Sequence, residues 1–423
     1  MHFMSSIAIL SFDGPDDQSP AAEYRDHLKG AAMIRQRRGE YLAILVLIVC
    51  VAGAPLRGAM PRFECHEIGR IGQQMGQTSL VDIDKDGDLD WVVGERTRTW
   101  WFECVGPDEW IRHDLGQGNR TDVGGTAFDI DRDGWIDQFC GTGWYRNTGK
   151  PRTEPFERYD SGTIVCHDNV AADIDGDGKL DAVACSDQGE HGVTVWYEIP
   201  ADPRAKWIEH RIGNGIHGGV GPAGVGDVDG DGDNDVVRGD VWFENTDGKG
   251  LQWTERAGLT PPGGNRPERY GLAIKVWLAD MDADGDLDIV EAEADTPDAR
   301  VFWFENKGKA KDWACHLISA DHTNQDFHSL AVADFDNDGD LDVFSGGGPL
   351  SKDIHRCFIW ENTDRRGSVW KERLILEGKR CHEAKAADVD ADGDIDICTK
   401  PWDGNLHLYL RNLLVEDHKA SSR

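Results

Sequence analysis

Seven short acidic segments hold the residues of this chain that are best suited to chemistry. Each has the form Asp-x-Asp-x-Asp-Gly-x-x-Asp and keeps all four aspartates and the glycine. Successive copies lie 47, 44, 54, 53, 54 and 54 residues apart. The copies begin at Asp82, Asp129, Asp173, Asp227, Asp280, Asp334 and Asp388. Because carboxylates packed this closely repel one another unless a cation lies between them, each copy predicts a metal site.

The ligand chemistry of these segments favours calcium. A calcium ion takes about six to eight oxygen ligands, whereas magnesium demands a stricter octahedron and zinc prefers nitrogen or sulfur. In the first copy Asp82, Asp84 and Asp86 would supply side chains, and Gly87 permits the sharp turn. Asp88 would offer its backbone carbonyl, and Asp90 would close the site. The alternative is an acidic turn that holds no metal.

The other six copies repeat these five positions, so the sequence predicts up to seven calcium ions. The fourth position of each set would bind through its backbone carbonyl, whichever residue occupies it. The remaining predicted ligands are Asp129, Asp131, Asp133, Trp135 and Asp137; Asp173, Asp175, Asp177, Lys179 and Asp181; Asp227, Asp229, Asp231, Asp233 and Asp235; Asp280, Asp282, Asp284, Asp286 and Asp288; Asp334, Asp336, Asp338, Asp340 and Asp342; and Asp388, Asp390, Asp392, Asp394 and Asp396.

Four strand-like pieces accompany each acidic segment. One piece enters the segment and a second leaves it, as in residues 287–290; an aromatic third follows, such as residues 241–245, and then a fourth, such as residues 313–318. Four strands in a repeat of this length predict an all-β, seven-bladed β-propeller with four-stranded blades. The last repeat lacks its fourth strand. Residues 63–69 fit that pattern and are predicted to close the last blade.

The acidic segments, together with Trp-Phe-Glu-Asn strands, resemble the FG-GAP or VCBS repeat family. That family includes the propeller of integrin α chains and many exported bacterial proteins. The resemblance extends over residues 62–412. It implies calcium in the loops that join the first and second strands of each blade. It implies no single activity, because such propellers serve adhesion, sugar binding and polysaccharide lysis alike.

Three histidines mark a second candidate site. His167, His328 and His382 each lie six residues before the first aspartate of an acidic segment. That register corresponds to about 20 Å along an extended strand, so these side chains are predicted to ring a central funnel on the face opposite the metals. The alternative is that they hydrogen-bond between blades. Neighbouring segments add Arg120, Asp122, Gln188, His191, His217, Arg269, Tyr270, Lys275, Trp402 and Asp403.

The N-terminal region has a pattern typical of an export signal. Arginines precede an apolar run from residue 42 to residue 54, which suits a signal peptide and is short for a membrane span. We predict an unstructured or mis-assigned start at 1–32, a signal peptide at 33–59, the propeller at 60–413 and a tail at 414–423. This pattern predicts export to the periplasm, the cell surface or the exterior. It also predicts that the chain has no membrane span once the signal peptide has been removed. The alternative is a retained N-terminal anchor.

The net charge of the chain limits which partners it is expected to bind. The formal net charge is −33, and the four key aspartates of the seven segments account for 28 of the 78 acidic residues. A chain this acidic has little with which to neutralise phosphates, so nucleic acid is not an expected partner.

The sequence therefore predicts an exported calcium-binding propeller that acts as a binding or adhesion module for carbohydrate or another surface macromolecule. The alternative is a polysaccharide lyase that cleaves uronic-acid polymers by β-elimination. In that case His167, His328, His382 or Tyr270 would remove the proton, and Arg269 would neutralise the carboxylate.

Overall fold

The computed structural model of this protein describes residues 60–118, 125–186, 192–215, 217–264, 273–319 and 322–421. The segments predicted as a mis-assigned start (1–32) and a signal peptide (33–59) lie outside the described residues. Within the described ranges, no helix is both long and apolar enough to cross a membrane.

Twenty-nine strands and one short helix make up the described part of the chain. The first strand and blades 1 to 3 comprise β1 (Phe63–Arg70); β2 (Met75–Val81), β3 (Asp90–Glu95), β4 (Arg98–Gly106) and β5 (Glu109–Gln117); β6 (Thr126–Phe128), β7 (Asp137–Phe139), β8 (Gly143–Arg146) and β9 (Glu157–Asp160); β10 (Asp168–Ala172), β11 (Asp181–Cys185), β12 (Gly192–Glu198) and β13 (Ile208–Gly215).

Blades 4 to 7 follow, with one strand placed out of order. The elements are β14 (His217–Ala223); β15 (Val225–Gly226), β16 (Asp235–Arg238), β17 (Val241–Asn245) and β18 (Trp253–Ala257); β19 (Ala273–Ala279), β20 (Asp288–Ala294), β21 (Val301–Asn306) and β22 (Trp313–Leu317); β23 (Leu330–Ala333), β24 (Asp342–Gly346), β25 (Arg356–Asn362) and β26 (Trp370–Glu377); β27 (Glu383–Ala387), β28 (Asp396–Lys400) and β29 (Leu406–Asn412); and α1 (Leu414–Ser421).

Seven separate sheets confirm the predicted seven-bladed propeller. Neighbouring strands within a blade pair antiparallel except β14 with β19, and the innermost strand comes first in the chain in every blade except blade 7. The predicted closure is also confirmed: β1 forms the outer edge of blade 7, with Phe63 opposite Asn412 and Arg70 opposite Leu406. Because β1 and β29 belong to the same sheet, blade 7 also has four strands.

Blade 5 departs from the predicted four strands. The chain leaves blade 3 and runs along the inner edge of blade 5 as β14, which pairs parallel with β19, before it enters blade 4. His217 lies opposite Ala273 in this pairing. Blade 5 therefore has five strands, and the additional one lies on the side of the central axis.

The core lies between neighbouring blades. The third strand of most blades carries a tryptophan that is at most 1% exposed, as at Trp101, Trp144, Trp196, Trp303 and Trp360. Three of these indoles stack on a histidine of the fourth strand, with ring centroids 4.3 to 4.8 Å apart. These recurrent tryptophans are therefore core residues rather than ligand platforms.

Candidate metal loops and central polar cluster

Each acidic segment forms the loop between the first and second strands of a blade. In blade 1 the loop follows Val81 at the end of β2 and stops where β3 begins at Asp90. Its turn depends on two left-handed residues, Lys85 with φ 63° and Gly87 with φ 105°. The corresponding two positions are left-handed in all seven loops. The loops therefore share one backbone shape, in which glycine relieves strain at the second position.

The first aspartate of each loop organises the turn by accepting two backbone hydrogen bonds. In the fifth loop, Asp280 accepts from the N–H groups of Asp284 and Gly285, both at 3.0 Å. The same pair of bonds recurs in the other six loops at 2.8 to 3.2 Å.

The last aspartate of each loop connects the loop to the third strand. Asp288 is fully buried, and its Oδ2 accepts the N–H of Met281 at 2.8 Å. Its Oδ1 accepts the N–H of Asn306 at the end of β21, also at 2.8 Å. Blades 1, 2, 4, 6 and 7 repeat both bonds. This carboxylate therefore fixes the loop against the sheet.

An asparagine at the end of the third strand extends this connection to the neighbouring blade. Asn306 Nδ2 donates to the carbonyl of Val228 in the loop of blade 4, at 2.9 Å. Blades 2, 4, 6 and 7 repeat the bond to the preceding blade with Asn147, Asn245, Asn362 and Asn412, at 2.9 to 3.3 Å. We call this contact the asparagine bridge. Blades 1 and 3 carry Cys104 and Ile199 at this position instead.

The arrangement of carboxylates fits a divalent ion. In each cluster, such as Asp280, Asp282 and Asp288, three ligand oxygens lie within 4.8 Å of one another. Five loops also contain a buried carboxylate oxygen, Oδ1 of the second aspartate, that has no hydrogen-bond partner; it belongs to Asp84, Asp229, Asp282, Asp336 and Asp390. Burying such oxygens costs free energy unless a cation or a hydrogen-bond donor approaches them. Calcium is a hard cation and suits a site whose ligands are all oxygen atoms.

Burial makes the last aspartates hard to ionise while no cation is bound. It raises the pKa of Asp90 and Asp342 to about 9, and of Asp137, Asp288 and Asp396 to about 8. The pKa values of Asp181 and Asp235 rise to about 7 for the same reason. A bound cation would oppose this effect, because its charge favours the carboxylate.

Arginines approach four of the loops. Arg146 pairs with Asp131 and Asp133, Arg152 lies 2.8 Å from Asp84, Arg365 lies 2.9 Å from Asp340, and Arg411 lies 2.8 Å from Asp390. Within the described part of the chain, the loops that begin at Asp227 and Asp280 make no ion pair with a basic side chain.

The three predicted histidines lie at the opposite end of the innermost strands, which we call the funnel face. His167 directly precedes β10, and His382 directly precedes β27. The ring of His382 stacks on that of His328 at 3.8 Å, and the ring of His167 contacts that of His217 at 4.6 Å. The structure thus brings the predicted histidines together as two pairs.

Carboxylates and lysines link these pairs. Asp295 lies between them, 3.5 Å from His217 Nε2 and 3.7 Å from His328 Nε2. Beneath them, Lys275 Nζ lies 3.3 Å from Asp168 and 3.5 Å from Glu383. Burial alone would lower the pKa of Lys275, but the two carboxylates hold it above its ordinary value. The result is a connected polar network in the centre of the propeller.

The electrostatic surroundings of His382 favour its neutral form. Burial, together with His328 and Lys400, holds the pKa of His382 well below its ordinary value, so the ring is neutral at neutral pH. Lys400 Nζ lies 3.3 Å from His382 Nδ1. The hairpin between β28 and β29 reaches the same place, as predicted, with the Trp402 ring 5.0 Å from that of His382.

Two aspects of this cluster differ from a simple open pocket. His167, His328 and His382 are only 3 to 4% exposed, and His328 Nδ1 hydrogen-bonds the carbonyl of His382 at 3.2 Å. The interpretation that such histidines bond between blades therefore holds for His328. Among the described residues of this face, His217 and Trp402 are partly exposed and Asp403 is exposed.

Sequence reasoning did not find the buried carboxylates of the cluster. Asp168, Asp295 and Glu383 lie next to strand ends and carry no spacing signal of their own, although Asp168 and Glu383 directly follow predicted histidines. Six residues predicted for this face lie outside the described residues: Arg120, Asp122, Gln188, His191, Arg269 and Tyr270.

A model of the FG-GAP-like repeat family matches residues 173–238 and residues 280–345. The seven-bladed propeller thus carries FG-GAP-like repeats in these two segments. The two matched segments contain the loops that begin at Asp173, Asp227, Asp280 and Asp334.

Solved structures similar to this propeller share little sequence with it. A lectin of Agrocybe aegerita, described as recognising non-reducing terminal N-acetylglucosamine, has 16% identity and a TM-score of 0.45, covering 72% of this chain and 81% of its own. Virginiamycin B lyase of Staphylococcus aureus has 12% identity and a TM-score of 0.46, covering 83% and 100%. The biofilm matrix protein Bap1 of V. cholerae has 12% identity and a TM-score of 0.28, covering 81% and 70%. None of these likenesses bears on function. No curated protein is significantly similar in sequence.

Removal of divalent ions is expected to make the stability of the propeller depend on pH. In the folded, metal-free protein the last aspartates stay protonated up to pKa values of about 7 to 9, whereas in the unfolded chain they ionise near pH 4. Folding then takes up protons, so stability falls as pH rises through this window. We expect the melting temperature in EDTA to be several degrees lower at pH 8 than at pH 5.5, and added calcium to raise it more at pH 8. Equal melting curves with EDTA and calcium at both pH values would contradict the fit of the loops to a cation.

Loss of an asparagine bridge is expected to weaken the boundary between two blades. Asn306→Ala leaves the carbonyl of Val228 without its donor, which should cost about 1–3 kcal/mol. The matched control is Asn405→Ala, because the side chain of Asn405 is exposed. This substitution should change stability by less than about 0.5 kcal/mol. Urea denaturation of the calcium-loaded protein measures both. Coincident midpoints for the two variants would show that the bridge is dispensable.

Proposed function

We propose that this propeller is an exported, calcium-stabilised binding module whose funnel face recognises carbohydrate or another surface macromolecule. The observation that carries the proposal is the polar cluster on that face, where histidines, Lys400 and the partly exposed Trp402 converge. A ligand site of this kind combines an aromatic surface with a few placed polar groups. The buried network beneath it would hold these groups rigid.

Calcium would stabilise the scaffold in this proposal. The partnerless oxygens of Asp84, Asp229, Asp282, Asp336 and Asp390 support it. When bound, the ion supplies positive charge that lets the crowded carboxylates remain ionised. The loop backbone and the last aspartate then keep the first and third strands of each blade in register.

Export would bring the chain to a calcium-rich compartment. The basic and apolar pattern of residues 33–59 supports a signal peptide. We expect the mature protein to begin after Ala54 or Ala59, and N-terminal sequencing of protein recovered from the exterior or the periplasm measures this. A chain that retains residues 33–59 in the membrane fraction would contradict export.

A polysaccharide lyase is the second candidate, and the neutral state of His382 favours it. A neutral imidazole can remove the proton beside a uronate carboxylate, after which the bond to the leaving oxygen breaks and an unsaturated uronate remains. His167 and His328 are the other candidate bases on the described part of this face, and Lys400 would offset charge on the carboxylate. Arg269 and Tyr270 keep their proposed roles as neutraliser and base.

A glycan array and an ultraviolet assay for unsaturated uronate separate the two candidates. We expect binding without product, and Trp402→Ala should weaken the binding about tenfold because it removes the aromatic surface. The matched control is Trp135→Ala, which removes a half-buried indole from an acidic loop at the opposite face. Product that disappears in His382→Ala but persists in His316→Ala would establish the lyase instead. A lack of binding to every glycan and surface extract would refute the module.

A further inference from the structure

Two histidine nitrogens approach the two oxygens of one buried carboxylate in the centre of the funnel face. His217 Nε2 lies 3.5 Å from Asp295 Oδ2, and His328 Nε2 lies 3.7 Å from Asp295 Oδ1. Both separations are longer than a normal N–H···O hydrogen bond, which spans about 2.7–3.2 Å. They are close to the spacing of about 3.3–3.4 Å between two ligand atoms of a tetrahedral zinc ion. The geometry therefore suits a metal ion between these groups.

The surroundings of His328 prepare one of its ring nitrogens to bind a metal. His328 Nδ1 lies 3.2 Å from the carbonyl oxygen of His382, which can only accept a hydrogen bond. In the neutral ring Nδ1 therefore carries the proton, and Nε2 presents its lone pair on the side of Asp295. A histidine that binds a metal through one nitrogen and donates from the other to a backbone carbonyl is the usual arrangement in protein metal sites.

A second buried carboxylate beside Asp295 has an unsatisfied oxygen. Asp326 is fully buried, and its Oδ2 accepts the N–H of Leu350 at 2.9 Å. Its Oδ1 has no hydrogen-bond partner among the described residues. The charges of His328 and Asp295 both act on this carboxyl, and the backbone N–H of Asp295 faces it. Two neighbouring buried carboxylates, one of them incompletely bonded, cost free energy unless a cation lies close to both.

A described lysine does not provide that cation. Lys275 acts on His328, but its Nζ lies 3.3 Å from Asp168 and is engaged there. The alternative to a metal is that both histidines are protonated and pair directly with Asp295. Direct pairing would leave Oδ1 of Asp326 without a donor, whereas one ion could serve both carboxylates.

We propose that the funnel face holds one divalent transition-metal ion, such as zinc, through Asp295, Asp326 and His328, with His217 as the fourth ligand. Imidazole nitrogens and carboxylate oxygens are ligands of zinc, whereas calcium takes oxygen ligands alone. The site is separate from the seven acidic loops. His217 begins β14, Asp295 directly follows β20, and His328 precedes β23. The ion would therefore join the inserted strand β14 and blade 5 to blade 6.

Cobalt and zinc binding to the calcium-loaded full chain tests the proposal. Excess calcium keeps cobalt and zinc out of the acidic loops. Cobalt is the spectroscopic probe, because a tetrahedral site with nitrogen ligands absorbs visible light far more strongly than an octahedral all-oxygen site. We expect one intense cobalt site per chain, from which zinc displaces the cobalt. His328→Asn and Asp326→Asn should each weaken zinc binding more than about a hundredfold, because loss of an outer partner of a ligand already costs about 10–100-fold.

His210→Asn is the matched control, because His210 lies on the outer strand β13 and contacts Glu198. The amide in His328→Asn can still donate to the carbonyl of His382, and the amide in Asp326→Asn can still accept from Leu350. We therefore expect all three variants to melt within a few degrees of the unaltered protein in calcium without zinc.

The cobalt spectrum of the unaltered protein decides the proposal even if a variant does not fold. Absence of an intense cobalt band would overturn it. An intense band that His328→Asn and Asp326→Asn leave as strong as His210→Asn does would also overturn it. No glycan enters this measurement, so a failure of the proposed carbohydrate binding would leave the metal site standing.

Discussion

The buried last aspartate of each acidic loop is the contact on which the blades depend. One carboxylate joins the start of the loop to the end of the third strand, as Asp288 joins Met281 to Asn306. Its burial costs solvation, which is why its pKa rises when no cation is near. In this arrangement the proposed metal ligand and the structural cross-link are the same side chain. Metal affinity and blade stability therefore cannot be separated by substituting this residue.

Repetition is the reason why the fold could be predicted. Seven copies of one loop fix the number of blades and the place of each first and second strand, and the strand at residues 63–69 follows from the gap in the last repeat. The parallel strand β14 could not be predicted in the same way. Its sequence, His-Gly-Gly-Val-Gly-Pro-Ala, lacks the alternation of a strand, and its pairing depends on a distant blade.

The two candidate sites differ in the same way in how well the sequence predicts them. The acidic loops are local, so nine consecutive residues are enough to place their carboxylates near one another. The funnel face is assembled from several blades. The register of His167, His328 and His382 predicted a shared end of the strands, but the position of Asp295 between two of the histidines depends on how whole blades pack. Such contacts between distant parts of the chain leave no spacing to detect.

The asparagine bridge is absent from blades 1 and 3, and this divides the ring unevenly. Cys104 and Ile199 cannot donate across the boundaries of blade 7 with blade 1 and of blade 2 with blade 3. At the first boundary the N–H of Leu89 reaches the carbonyl of Val389 instead. We therefore expect unfolding by force or heat to begin at these two boundaries and to separate one arc of two blades from another of five. Partly opened intermediates would then be populated during unfolding.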